Sequence, residues 1–179
     1  MNLPNLITLM RLLLVPVTIW LMVDGEFLWA FAAFAIAGVS DALDGFLARR
    51  LDLRTRIGEL LDPLADKALL VSIYVTLGIE GQVPAWLVIL VVFRDVMIVG
   101  GFLFIEYLGY HADRRPLIIS KINTTFQILL AGLTLAKLGL LFDDWGAGRA
   151  LIYAVAATTL GSGFGYLLRP ARIFAGRER

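Results

Sequence analysis

The amino-acid sequence predicts an all-α, polytopic membrane protein with six transmembrane helices. Three observations carry that prediction. Hydrophobic residues make up 59% of the 179 residues and charged residues only 17%, with a mean hydropathy of +0.82. A soluble domain would carry about 45–50% apolar residues and about 25% charge. The apolar residues fall into six runs separated by short polar breaks, and the basic residues collect in alternate breaks.

The runs are residues 3–23, 27–48, 60–79, 84–108, 117–141 and 148–168. Each is close to the roughly 20 residues that a hydrocarbon core of about 30 Å requires of a helix. The first ends at the polar, glycine-centred break Asp24-Gly25-Glu26 and the third at Glu80-Gly81-Gln82. The second ends in the basic stretch Arg49 to Glu59, the fourth at Gly109 to Pro116, and the fifth at Phe142 to Gly148. Every connection is short, so neighbouring helices run antiparallel. The chain reads as a single domain over 1–179, with no internal repeat or low-complexity tract.

Arg49, Arg50, Arg54 and Arg56 follow the second run, Arg114, Arg115 and Lys121 surround the start of the fifth, and Arg169, Arg172, Arg177 and Arg179 follow the sixth. The opposite breaks hold Asp24, Glu26, Glu80, Asp143 and Asp144, with Lys137 and Arg149 nearby. By the positive-inside rule, both termini and the arginine-rich connections face the cytoplasm. Arg11 interrupts the first run and no small-residue cleavage site follows it, so no cleavable signal peptide is expected. The expected location is a cell (inner) membrane rather than a mitochondrial one. The absence of cysteine excludes disulfides, thiolate nucleophiles and thiolate-bound zinc. A net charge of +1 in a chain of this composition gives no reason to expect a nucleic-acid partner.

Against that apolar background stand Asp41-Ala42-Leu43-Asp44-Gly45-Phe46-Leu47-Ala48-Arg49 and Gly58-Glu59-Leu60-Leu61-Asp62-Pro63-Leu64-Ala65-Asp66. An ionisable residue in a membrane segment is costly and points to function. At about 100° per residue, Asp41, Asp44, Gly45 and Ala48 share one helix face, and Asp62, Ala65 and Asp66 share another. Facing each other, the antiparallel segments bring the aspartates together, and their small residues leave room for a ligand. Four carboxylates in a low-dielectric pocket cannot all stay ionised unaided. Oxygen-only donors favour hard divalent ions, and four suffice for two ions, the usual clamp for displacement at phosphorus. The structural alternative is a set of helix-end acids paired with Arg49, Arg50, Arg54, Arg56 and Lys67. Pro63 is tolerable in the first turn of its helix and otherwise implies a kink. A cation or proton transporter is the rival from another class, but such carriers place their acids near the midplane and often show inverted repeats.

The run resembles, at all eight fixed positions, the signature of the CDP-alcohol phosphatidyltransferase family, D-x₂-D-G-x₂-A-R-x₈-G-x₃-D-x₃-D. The resemblance implies a six-helix membrane enzyme, commonly a homodimer. Such an enzyme moves a phosphatidyl group from CDP-diacylglycerol to an alcohol and releases CMP. It implies that Asp41, Asp44, Asp62 and Asp66 bind two divalent cations, Mg²⁺ or Mn²⁺, with Ca²⁺ a structural or inhibitory substitute. Asp66 is also implied as general base, and Gly45, Ala48, Arg49 and Gly58 as surroundings of the CMP moiety. The stretch Asn2 to Arg11 is similar to the family's N-terminal segment. Asn5, Thr8 and Arg11, three residues apart, share a face and are candidates for nucleotide and phosphate contacts; the alternative is interfacial capping with a snorkelling arginine.

The acceptor alcohol must be chosen elsewhere. Arg94-Asp95 lies in the middle of the fourth run, either as a self-neutralising structural pair or as part of the acceptor site. In Ser120-Lys121-Ile122-Asn123-Thr124, Lys121 is a candidate for a phosphate headgroup, with a membrane anchor as the alternative. Ser120 and Asn123 are candidates for glycerol hydroxyls. Arg115-Pro116, Ser120-Lys121, Asn123-Thr124 and the Arg94-Asp95 pair resemble the CMP-forming cardiolipin synthases within the family, which implies phosphatidylglycerol as acceptor. Phosphatidylglycerophosphate synthases share the Asp62 to Lys67 stretch, so glycerol-3-phosphate is the alternative acceptor.

Overall fold

The computed structural model describes the backbone of residues 3–51, 56–107 and 117–175, and the side chains of residues 10–40, 67–101 and 117–166. Six helices make up the fold: α1 Leu3–Val23, α2 Phe27–Leu51, α3 Arg56–Ile79, α4 Ala85–Tyr107, α5 Ile118–Leu140 and α6 Ala147–Ala175. No strand occurs among the described residues. At about 1.5 Å per residue, helices of 21 to 29 residues run from about 31 to about 44 Å, at least the roughly 30 Å of a bilayer core. Among the described residues, α5 is long and apolar enough to cross a membrane, while Met10–Val23, Phe27–Ser40 and Lys67–Ile79 form shorter apolar helical stretches.

Two helix ends share one mechanism. After α1, Glu26 N–H donates to Leu21 O (2.8 Å) and Gly25 N–H to Met22 O (3.1 Å). After α3, Gln82 N–H donates to Leu77 O (2.9 Å) and Gly81 N–H to Gly78 O (3.2 Å). This paired pattern is a Schellman cap, which requires a left-handed residue just past the helix. Gly25 and Gly81 supply it with φ of 80° and 70°. The acid–glycine–polar breaks of the sequence are therefore two copies of one chain reversal.

The chain divides into two compact units, Met1–Gln82 with Ala131–Trp145, and Val83–Leu130 with Gly146–Arg179. In the first, α1 packs against both α2 and α3. Among the described residues of α2, Ala30, Ala33, Phe34 and Ala37 are buried, spaced to form one face. Alanines there let a neighbouring helix approach closely, the usual way helices associate in lipid. Leu69, Leu70, Ile73, Tyr74 and Leu77 are the matching buried set on α3. Gly139 of α5 lies against the start of α2: a Cβ there would stand 2.6 Å from Leu28 Cα. Pro16 sits inside α1, where its missing N–H leaves one carbonyl of the preceding turn without its helical donor.

The second unit has a different core. Leu87, Val91, Leu130 and Val155 are buried, but so are Arg94, Asp95, Asn123, Gln127, Thr159 and Ser162. Here α4 packs on α6, and polar side chains do much of the joining. Gly161 and Gly165 of α6 lie against α5, where added Cβ atoms would stand 2.8 Å from Ile119 Cδ1 and 2.9 Å from Leu117 Cδ1. Cβ atoms added at Gly100 and Gly101 of α4 would meet nothing within 4 Å among the described residues.

Pro63 falls well inside α3, which begins at Arg56, so the first-turn placement does not hold. The helices also outrun their apolar runs: α2 continues to Leu51, α3 starts four residues before residue 60, and α6 continues to Ala175. Polar residues at these ends satisfy a helical backbone as well as apolar ones do, and hydropathy does not register them.

Candidate functional site

The helical backbone of α2 carries Asp41, Asp44, Gly45, Ala48 and Arg49, and that of α3 carries Gly58, Asp62 and Asp66. Helical geometry places Asp41 and Asp44 about 60° apart around α2, and Asp62 and Asp66 about 40° apart around α3. The sharing of a face within each helix, which the spacing predicts, therefore holds at the backbone. The side chains of these residues, and of Asn5 and Thr8 on α1, lie outside the described residues. Among the described residues no cluster of metal-ligating side chains occurs. As a donor set, two carboxylate positions per helix offer oxygen ligands alone, which suits a hard divalent cation and not a thiolate- or imidazole-seeking metal. Arg11 of α1 is buried in the first unit.

The second unit brings Arg94, Asp95 and Ser120 together and adds a residue that the sequence did not disclose. Arg94 Nη1 donates to Asp95 Oδ1 at 2.6 Å, with both side chains buried. Its Nε donates to Ser162 Oγ of α6 at 2.9 Å, and its Nη2 donates to Ser120 Oγ of α5. The Ser162 hydroxyl itself donates to Thr159 O (3.0 Å). One guanidinium thus ties α4 to both α5 and α6. A buried arginine needs this neutralisation, since an isolated charge in apolar surroundings costs several kcal/mol. Guanidinium has five N–H groups; these three bonds leave one on each terminal nitrogen, a fork suited to phosphate.

Asn123 lies one turn further along α5 and is fully buried. Its Oδ1 accepts from Thr158 Oγ1 and Thr159 Oγ1, both at 2.8 Å. Its Nδ2 has no hydrogen-bond partner. The Thr158 hydroxyl also lies 2.7 Å from Ala154 O, and its single proton serves one acceptor at a time. Turning the amide over would give both threonine oxygens an N–H donor and release that proton to Ala154. In either orientation one end of the Asn123 amide has no protein partner.

Lys121 is exposed, and among the described residues its side chain makes no hydrogen bond within this cluster. Its carbonyl accepts from Thr125 Oγ1 at 3.1 Å. Of the predicted acceptor residues, the fold therefore unites Arg94, Asp95 and Ser120, places Asn123 in an adjoining α5–α6 cluster, and leaves Lys121 outside both. Ser162, Thr158 and Thr159 are the members that sequence reasoning missed. The available signal was polar residues at 158, 159 and 162 within an apolar run, at one-turn spacing and beside Gly161 and Gly163.

The family model of the CDP-alcohol phosphatidyltransferases matches residues 1–161. The chain belongs to that family. It is 32% identical to the human cardiolipin synthase (CMP-forming), over 92% of this chain and 60% of the relative. A fission-yeast (Schizosaccharomyces pombe) cardiolipin synthase (CMP-forming)/mitochondrial hydrolase fusion protein is 35% identical over 93% of this chain and 31% of the relative. The chloroplastic CDP-diacylglycerol–glycerol-3-phosphate 3-phosphatidyltransferase 1 of rice (Oryza sativa subsp. japonica) is 34% identical over 97% of this chain and 58% of the relative. The chain thus spans no more than about three-fifths of the length of these relatives.

Proposed function

We propose that the chain is a membrane phosphatidyltransferase that moves a phosphatidyl group from CDP-diacylglycerol to phosphatidylglycerol, giving cardiolipin and CMP. The observation that carries this reading is the eight-position run from Asp41 to Asp66, set on helical backbone that keeps each aspartate pair on one face. Likeness to several CMP-forming cardiolipin synthases supports the acceptor. In this reading the single catalytic domain spans 1–179, the six helices cross a cell (inner) membrane, and both termini and the site face the cytoplasm. The active form is a homodimer. Large apolar side chains exposed on α1 and α2 of the first unit, such as Leu13 and Ile36, and on α4 and α6 of the second, such as Phe93 and Leu160, support the embedding, because lipid tolerates outward apolar side chains that water does not.

Asp41, Asp44, Asp62 and Asp66 hold two divalent cations, which when bound neutralise the pyrophosphate of the donor and stabilise the leaving phosphate. Arg49 adds a charge-assisted hydrogen bond to phosphate, and Gly45, Ala48 and Gly58 leave space for the CMP moiety. Asn5, Thr8 and Arg11 contact the nucleotide and its phosphates. Asp66 accepts the proton of the acceptor hydroxyl as its oxygen bonds to the phosphatidyl phosphorus. The bond from that phosphorus to the CMP oxygen breaks, and CMP departs with the electron pair. Arg94, neutralised by Asp95, directs its two remaining N–H groups to the acceptor phosphate, with Lys121 as a second cation. Ser120 helps hold Arg94. The open end of the Asn123 amide fits a glycerol hydroxyl, which both donates and accepts and so suits either amide orientation.

The rice relative, named for glycerol-3-phosphate, favours a second reading with that acceptor. One experiment separates the two. Purified protein is given Mn²⁺ or Mg²⁺, labelled CDP-diacylglycerol, and either phosphatidylglycerol or glycerol-3-phosphate. Labelled cardiolipin is expected. Product with glycerol-3-phosphate alone overturns the acceptor, and absence of CMP release with any alcohol overturns the transferase reading.

A further inference from the structure

One end of the first unit carries an exposed tryptophan cluster that the proposed chemistry does not use. Trp20 lies one turn before the end of α1, and Trp29 is the third residue of α2. Gly139 packs against Leu28, which brings the end of α5, and with it Leu141 to Trp145, to that same end. Trp20 and Trp29 are 64% and 63% exposed, Leu141 88% and Trp145 92%. Leu141 and Trp145 also hold left-handed backbones, with φ of 54° and 46°. That conformation costs a non-glycine residue about 1–2 kcal/mol, so a large apolar side chain is held outward at some expense. The loop is braced locally: Lys137 Nζ pairs with Asp144 Oδ1 at 2.8 Å, and Trp145 N–H donates to Asp143 Oδ1 at 3.1 Å.

We propose that this end of the first unit is a lipid-interface anchor, with Trp20, Trp29 and Trp145 seated at the headgroup–acyl boundary of the bilayer. The proposal rests on the membrane embedding in the functional reading above. The choice of occupant follows from chemistry. Indole has an apolar body and one N–H donor, which suits a boundary that is apolar on one side and wet on the other. Asp24, Glu26, Asp143 and Asp144 rim the same end against the single Lys137. That rim repels anionic headgroups, so the attraction comes from the indoles and the surface is a zwitterionic one. The cluster lies at the ends of α1 and α2 away from Asp41 and Asp44. It thereby sets the depth of the helices from the face opposite the aspartates.

The test uses the full chain in phosphatidylcholine vesicles, with three of the four tryptophans replaced by phenylalanine so that Trp145 alone emits. Vesicles carry lipids brominated near the headgroup end or near the acyl terminus. Flotation with vesicles is scored first, because a chain that fails to float defeats the embedding itself. For a floating chain, the expected result is several-fold stronger quenching by the shallow bromine than by the deep one. Acrylamide should quench several-fold less than it does a free tryptophan amide. Adding phosphatidylglycerol should not raise the lipid quenching. Acrylamide quenching equal to the free amide, or strongest quenching from the deep bromine, overturns the anchor. So does shielding that no lipid bromine reports and that disappears on diluting protein in lipid, which would identify a second copy of the chain. The native chain minus its Trp145→Phe variant gives the same comparison as a difference spectrum if the triple replacement does not fold.

Discussion

Ser162 on α6 accepts the Arg94 Nε–H of α4 at 2.9 Å while its own hydroxyl proton goes to Thr159 O. The hydroxyl therefore both accepts and donates, and its removal leaves a buried N–H of a charged group without this partner. Ser162→Ala should destabilise the chain by about 1–2 kcal/mol, between the modest value of a membrane hydrogen bond and that of one to a charge. Asp95→Ala should cost more, about 3–5 kcal/mol, because it strands the buried charge itself. Thermal unfolding in detergent checks both. Equal, negligible shifts would mean that the cluster does not hold the unit together.

Gly139 and Gly38 make a matched pair. An alanine Cβ at Gly139 would stand 2.6 Å from Leu28 Cα and 2.7 Å from Leu28 N, whereas at Gly38 it meets nothing within 4 Å among the described residues. Backbone atoms cannot swing aside as a side chain can. Gly139→Ala should therefore cost about 1–3 kcal/mol. Gly38→Ala should be neutral or stabilising by up to about 1 kcal/mol, through the better helix propensity of alanine. Opposite signs in a thermal unfolding comparison are the expected outcome.

These two cases show what the sequence could and could not disclose. Helix positions were legible from the apolar runs: 3–23 and 117–141 differ from α1 and α5 by no more than one residue at either end. Gly25 and Gly81 were legible as turns because only a left-handed residue completes those caps. Arg94 with Asp95 stood out as charge in an apolar helix. Its partner Ser162 did not, because a serine beside two glycines reads equally as a small packing residue. The left-handed backbones of Leu141 and Trp145 left no mark, since neither residue type prefers that region.

Metal dependence should be absolute under the proposed mechanism. Chelation with EDTA should abolish CMP release, and Mn²⁺ or Mg²⁺ should restore it. Asp66→Asn should lower kcat to background while retaining much of the binding of CDP-diacylglycerol, since the amide keeps an oxygen ligand but cannot take a proton. Rates of CMP release and donor affinity, measured on the same preparation, separate these effects. Normal turnover in Asp66→Asn would remove the base assignment.

Lys121 and Arg94 offer a contrast between an exposed cation and a buried one. Lys121→Ala should raise the acceptor KM several-fold and leave the donor KM nearly unchanged, because an exposed point charge adds attraction for a phosphate headgroup without organising the fold. Its effect should weaken as salt rises, since exposed charges are screened over about 8–10 Å at ordinary ionic strength. Arg94→Lys keeps the charge but lacks the planar fork needed to reach Asp95, Ser120 and Ser162 together. That variant should lose stability as well as acceptor affinity, and with little salt dependence. Steady-state kinetics against both substrates at two salt concentrations, paired with thermal unfolding, reads all of these quantities. A Lys121→Ala variant that changes the donor and acceptor KM equally would place Lys121 outside acceptor recognition.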